Sequence, residues 1–156
     1  MTAVAVELDA LGDTRRVWAD FLEELARRFA SISPLDPAAL PRDRAAAAEA
    51  LDAWAAAGVG DWRATLARFA EDRAPVYLRP NGAANAALRA LAAGGARIGV
   101  FTDAPEPLAR VALAHLGAAR RVALLETGAG ARERLLDRLG PAARVVTRAE
   151  ELTRAG

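Results

Sequence analysis

The sequence predicts an α/β protein: a Rossmann-like three-layer core with a mostly parallel sheet, interrupted by an all-helical insertion. Three observations predict it. A valine-rich strand pattern opens the chain, a long stretch after it carries only helical spacing, and strand and helix patterns then alternate singly to the end.

Residues 3–8 place Val4 and Val6 at alternate positions and read as a strand. Residues 13–30 bring Val17, Trp18, Phe21, Leu22, Leu25 and Phe29 onto one helical face. Pro34, Pro37 and Pro41 make 31–41 a connection. A helix over 43–57 starts at Pro-Arg-Asp and stops before Gly58 and Gly60. The next starts on Asp61 as N-cap, buries Trp62, Leu66 and Phe69, and stops before Pro75. After a turn at 80–82 come a helix over 83–93, closed by Gly94-Gly95, and a buried strand over 97–102. Residues 105–115 form a helix with proline in its first turn. A strand over 121–125, a helix over 129–139 and a strand over 144–147 complete the pattern.

Composition narrows the chemistry. The chain has 156 residues, enough for one domain or a compact core with an insertion. Alanine supplies roughly half of the apolar residues, yet Leu, Ile, Val and Phe still make up roughly 23% of the chain, above the level where disorder is the default. A net charge of +1 argues against an electrostatically driven nucleic-acid binder. No cysteine is present, which excludes disulfides, thiolate metal sites and a cysteine nucleophile. All 21 basic residues are arginine, so no lysine Schiff base or P-loop lysine exists. His115 is the one histidine, and its place in the last turn of a helix gives it a structural reading at the negative end of the dipole. With no long apolar run and no basic leader, the expectation is a cytoplasmic protein that neither crosses membranes nor binds nucleic acid.

In open α/β sheets the ligand crevice lies beyond the carboxyl ends of the strands. The polar residues there are Glu7 and Asp9, Thr102 and Asp103, and Glu126 and Thr127. Each has a plainer reading. Two acids can simply end a strand, Thr102 and Asp103 can cap the following helix, and Glu126 can be a solvated strand-end residue. Trp18, Trp54 and Trp62 fall at apolar helical positions and read as core rather than as stacking platforms. The arginine-rich helix with Arg132, Glu133, Arg134, Asp137 and Arg138 reads as a solvated, salt-bridged face.

Two stretches carry a resemblance to a family. Val6-Glu7-Leu8-Asp9-Ala10-Leu11 is similar to an apolar strand running into Asp-x-Asp-Gly-Thr-Leu, and Arg97-Ile98-Gly99-Val100-Phe101-Thr102 to a strand ending in threonine. A Tyr77-Leu78-Arg79-Pro80 turn and a helix closed by Gly94-Gly95 lead into the second. The chain resembles the haloacid-dehalogenase superfamily, mostly Mg2+-dependent phosphatases with a helical cap inserted after the first strand. The resemblance implies a core of residues 1–12 and 76–156 and a cap of 13–75. It implies catalytic roles at Glu7 (nucleophile position) and Asp9 (acid/base), phosphate binding at Thr102 and Asp103, and a metal site at Glu7, Asp9 and Glu126.

The sequence departs from the family pattern at several of these positions. Glu7 is one methylene longer than the family's aspartate, where misplacement by ~1 Å is costly. Ala10 and Leu11 replace the Gly-Thr pair, and the basic group cannot be lysine, leaving Arg132 as a candidate. The metal motif is reduced to Leu125-Glu126-Thr127-Gly128-Ala129-Gly130, with one carboxylate, and one strand–helix unit is expected to be absent. The implied function is a phosphatase-like hydrolase acting on a small phosphorylated molecule, with activity weak or lost. The alternative is an inactive relative serving as a ligand- or protein-binding module.

Overall fold

A computed structural model of the chain describes residues 2–155. The elements follow in order as β1 (Ala3–Glu7), α1 (Leu8–Leu11), α2 (Arg15–Arg28), α3 (Arg44–Ala55), α4 (Trp62–Tyr77) and α5 (Gly82–Ala93). Then come β2 (Arg97–Thr102), α6 (Glu106–His115), β3 (Leu124–Thr127), α7 (Ala131–Leu139), β4 (Arg144–Val146) and α8 (Ala149–Ala155). The four strands form one sheet in the order β3-β2-β1-β4, and every pairing is parallel. The α/β Rossmann-like architecture expected from the sequence is therefore the one observed.

Alternation along the strands sorts side chains to two faces. Val4, Val6, Ile98 and Val100 enter a large core shared with Leu88 of α5, Leu108 of α6 and Leu152 of α8. On the opposite face Ala5, Phe101 and Leu124 lie under Ala131 and Leu135 of α7. Gly99 lets α7 approach so closely: a Cβ there would stand 2.5 Å from Leu135 Cδ1. Fully burying a leucine such as Leu135 contributes about 1.5–3 kcal/mol, which is what a clash at Gly99 would forfeit.

The helical stretch expected between strands is present and is not separately cored. Trp18, Leu51, Trp62 and Leu66 belong to the same buried cluster as Val4 and Leu108. Phe21 lies between Trp62 and Phe69, at centroid separations of 6.4 and 5.6 Å. The indole N–H groups of Trp62 and Trp54 donate to Asp52 and to the Ser33 carbonyl. All three tryptophans thus pack within the protein, as their apolar spacing predicts, and two of them are also hydrogen-bonded. Among the described residues no helix is long and apolar enough to cross a membrane.

Three elements have boundaries that differ from the sequence reading for a local reason, and one helix was not foreseen. β1 stops at Glu7, because Leu8 and Leu11 must both be buried; a helical turn puts residues three apart on one side, whereas a strand would alternate them. α4 continues through Pro75 to Tyr77, its last turn held by the buried Ala74 and Leu78 and by the Leu78 N–H to Ala74 carbonyl bond of 2.8 Å. Residues 119–121 coil into a 3-10 turn, so β3 begins at Leu124, beside Gly99, and runs on through Glu126 and Thr127. α8 is a helix the sequence reading left unassigned.

Candidate functional site

The carboxyl ends of β1, β2 and β3 open into a cleft of about 820 Å³, walled by α2, the start of α3 and the Gly128–Gly130 turn. Glu7, Asp9, Thr102 and Asp103 all line it, so the fold brings together four of the five predicted site residues.

Asp9 sits on the helical turn after β1, not on the strand itself. Its Oδ1 accepts from the Thr14 N–H at 2.9 Å and the Thr14 hydroxyl at 2.7 Å. Its Oδ2 accepts from Nη2 of Arg44 at 3.0 Å. Arg44 was not among the sequence candidates, yet it organises the site. Although charged, it is only 5% exposed. Its Nε donates to Asp103 Oδ1 at 2.9 Å, its Nη1 to the Thr14 hydroxyl at 2.6 Å, and its Nη2 also reaches the Thr102 hydroxyl at 3.4 Å. Its backbone N–H takes the other oxygen of Asp103 at 3.0 Å. One residue at the first position of α3 thereby joins the ends of β1 and β2.

A signal for Arg44 was present in the sequence. Asp43 caps α3 by accepting from the Ala46 N–H, and the first helical turn after such a cap favours acids, since the dipole is positive there. An arginine at that first position, followed by four alanines, has no local partner and must find one elsewhere in the fold.

Thr102 does not cap α6. That helix begins after Pro105 with no side-chain cap, and the Thr102 hydroxyl instead accepts from the Ala104 N–H at 3.2 Å, holding the turn that aims Asp103 at Arg44. The carboxylate of Glu7, a residue in register with Phe101 of β2, has no hydrogen-bond or ion-pair partner among the described residues. Burial, followed by the charges of Asp9 and Asp103, pushes its carboxyl above the usual glutamate range; Arg44 and Arg132 oppose that rise.

Glu126 lies elsewhere. It is in register with Phe101, which is in register with Glu7, so two strand spacings (roughly 10 Å) separate the two glutamates at the backbone. Its oxygens accept from Arg134 and Arg138 at 3.0 Å each, and these bonds hold its carboxyl below the usual range. Arg134 also donates to the carbonyls of Thr127 and Ala129, fixing the turn in which Gly128 and Gly130 take left-handed φ of 80° and 70°. Arg132, at the start of α7, lies 6.0 Å from the centre of the Phe101 ring and lines the cleft. His115 serves structure: its Nε2 bonds the Leu78 carbonyl at 3.0 Å, tying α6 to the end of α4.

Magnesium, the cation the resemblance implies, needs several oxygens free to converge on it. Here both oxygens of Asp9 and both of Asp103 already accept hydrogen bonds, and a guanidinium stands between them. Glu126 is engaged by two arginines on the α7 side. Among the described residues no group of three or more His, Cys, Asp or Glu is placed to hold a metal. The donor set as arranged does not fit the ion.

No family model matches the chain, and no curated protein matches it by sequence. Solved structures do match in shape. One is the crystal structure of a putative beta-phosphoglucomutase from Thermotoga maritima, with a TM-score of 0.59 and 14% identity over 99% of this chain and 98% of that one. At that identity the likeness is one of fold, and it agrees with the architecture that the two sequence motifs imply.

Proposed function

We propose that this chain keeps a phosphatase-like framework in which phosphoryl transfer is weak or lost, and that its cleft binds a small phosphorylated molecule. The observation that carries this reading is Arg44, bonded at once to Asp9, Thr102 and Asp103. A carboxylate that relays a proton to a leaving oxygen must be able to approach it. Asp9 has both oxygens committed, one to Thr14 and one to Arg44. Glu7, at the nucleophile position, is one methylene longer than the family's aspartate, and burial together with the charges of Asp9 and Asp103 disfavours its ionised form.

Binding has support of its own. Arg15, Arg42 and Arg132 line the cleft and offer charge to an anion, while Trp18, Leu22 and Leu40 give an apolar wall for the rest of a small molecule. The fold neighbour carries the name of an enzyme of a phosphorylated sugar, consistent with a ligand of that class.

The test is hydrolysis of a generic aryl phosphate with and without Mg2+, comparing wild type with Asp9→Asn. Equal, background rates are expected. Magnesium-dependent turnover that disappears in Asp9→Asn overturns the reading. A titration with glucose 1-phosphate, followed by tryptophan fluorescence because Trp18 lines the cleft, checks the binding half. A saturable change is expected, and a flat response argues against it.

A further inference from the structure

We infer that residues 34–43 form a strap that closes over the cleft on an anionic ligand, while the helices on either side of it stay in place; this rests on the reading of the cleft as the binding site of a phosphorylated molecule. Arg42 is the residue by which the anion draws the strap in, and Arg44 is the pin that holds its end.

The strap is fastened at its two ends and hardly anywhere else. At one end Ser33 and Trp54 of α3 exchange bonds: the Ser33 hydroxyl donates to the Trp54 carbonyl at 3.0 Å, and the Trp54 indole N–H donates to the Ser33 carbonyl at 2.8 Å. At the other end the buried Arg44 holds Asp9 and Asp103. In between, the Ala38 and Ala39 N–H groups donate to Asp36 and the Leu40 N–H to Pro37. Among the described residues no hydrogen bond of 34–42 reaches another element. A segment with so few bonds to its surroundings opens at low cost. Pro34, Pro37 and Pro41 each fix φ, so it moves as short stiff pieces and not as a coil.

The flanking helices have no such freedom. Phe21 of α2, Leu51 of α3 and Leu66 of α4 are 0% exposed and share one core with Val4 and Leu108. Swinging those helices would return that apolar surface to water. Lifting the strap uncovers only Leu35 and Leu40, which are partly buried at the edge of the same core.

A ligand shifts the strap only through a contact that it makes better when the strap is down. Arg42 supplies that contact. It lines the cleft, is exposed, and has no hydrogen bond or ion pair among the described residues, so its charge is free for an anion. Arg132, beside the Phe101 ring of β2, lines the same cleft. An anion shared by the two arginines ties the strap to the sheet.

The chain contains no cysteine, so a single introduced cysteine reports on one place. Ala39 is exposed on the strap and outside the cleft lining, and Ala53 is exposed on α3. Nitroxide labels on Ala39→Cys and Ala53→Cys, read by electron paramagnetic resonance, give the nanosecond mobility of strap and helix. Without ligand, the strap label should be about twofold or more as mobile as the helix label. Saturating glucose 1-phosphate should slow the strap label and leave the helix label unchanged. Arg42→Gln should abolish that slowing while the ligand-free spectrum stays the same. Arg44→Gln should loosen the strap label before any ligand is added, and Ser33→Ala should do so to a lesser degree.

Equal mobility of the two labels in the free protein overturns the inference. So does a ligand response shared by both labels, or one that survives Arg42→Gln. If Arg44→Gln does not fold, Ser33→Ala decides the pinning, and an unchanged strap label there counts against it. Saturable binding by tryptophan fluorescence with no slowing of the strap label overturns the inference and spares the binding reading. A flat fluorescence titration sinks the binding reading and closure with it, and the pinned strap then stands or falls on the ligand-free spectra.

Discussion

Two arginine–carboxylate clusters lie at the carboxyl side of this sheet, and they are built inside out relative to each other. In one, a single buried arginine stands between two acids drawn from different strand ends. In the other, a single acid, Glu126, stands between two half-exposed arginines, both from the helix that directly follows its strand. The chemistry is the same, but the contributions are not. The Arg44 cluster ties segments far apart in sequence and sits out of water, so leaving it incomplete is expensive. The Glu126 cluster is local and screened, and pairs of that kind contribute little.

The widest expected gap between them comes from deleting the central group of each. Arg44→Ala leaves Asp9 and Asp103 facing each other across the cleft and should cost about 3 kcal/mol, the lower end for breaking a buried pair because Asp103 keeps some solvent contact. Urea denaturation at neutral pH would measure it. Neutralising both acids as well, with Asp9→Asn and Asp103→Asn, should return part of that loss, since the penalty is uncompensated charge and not missing contact. A loss within ~0.5 kcal/mol of wild type for Arg44→Ala would erase the distinction between the clusters.

The same contrast explains what could be read in the sequence. The sheet was legible because Val4 and Val6 alternate along β1 and the apolar stretch Ile98–Phe101 reads as a buried strand, and the tryptophans because they fall on apolar helical faces. Four of the site residues were legible because parallel strands deliver their carboxyl ends to one edge. Glu126 is the predicted site residue that the fold sets apart, through register: pairing with β2 carries the strand on to Thr127 and turns Glu126 to Arg134 and Arg138 of α7. Arg44 was missed because its partners are tertiary. Local spacing registers the helix start at Asp43 but not which strand ends will lie beneath it.

A smaller effect tests the exposed cluster. Glu126→Gln should cost no more than about 1 kcal/mol and lose most of that in 1 M salt, because Arg134 and Arg138 are both about half exposed. Its pH dependence has a definite sign. The Glu126 carboxyl is held down in the folded protein by its two arginine bonds, so its contribution is present above the unfolded value of 4.5 and fades as pH falls through the lowered folded value. Wild type and Glu126→Gln should therefore converge in acid. Denaturation curves at pH 3 and pH 7 check this, and a gap that widens on acidification would contradict it.

Glu7 should behave in the opposite sense, and its effect is the smallest. Its carboxyl is pushed up by burial first and by Asp9 and Asp103 second. The folded state then binds more protons than the unfolded chain as pH rises from 4.5 through the raised folded value, so stability falls across that window and stays lower above it. Glu7→Gln removes the titrating group and should flatten the fall, leaving the variant slightly more stable than wild type at neutral pH and no better below pH 4.5. Stability profiles of the two proteins from pH 4 to pH 8 decide the matter. If the advantage of Glu7→Gln appeared in acid, the charges around Glu7 would have to be net positive, and Arg44 could not be largely spent on Asp9 and Asp103. Glu7 thus reports on whether Arg44 is already neutralised by Asp9 and Asp103.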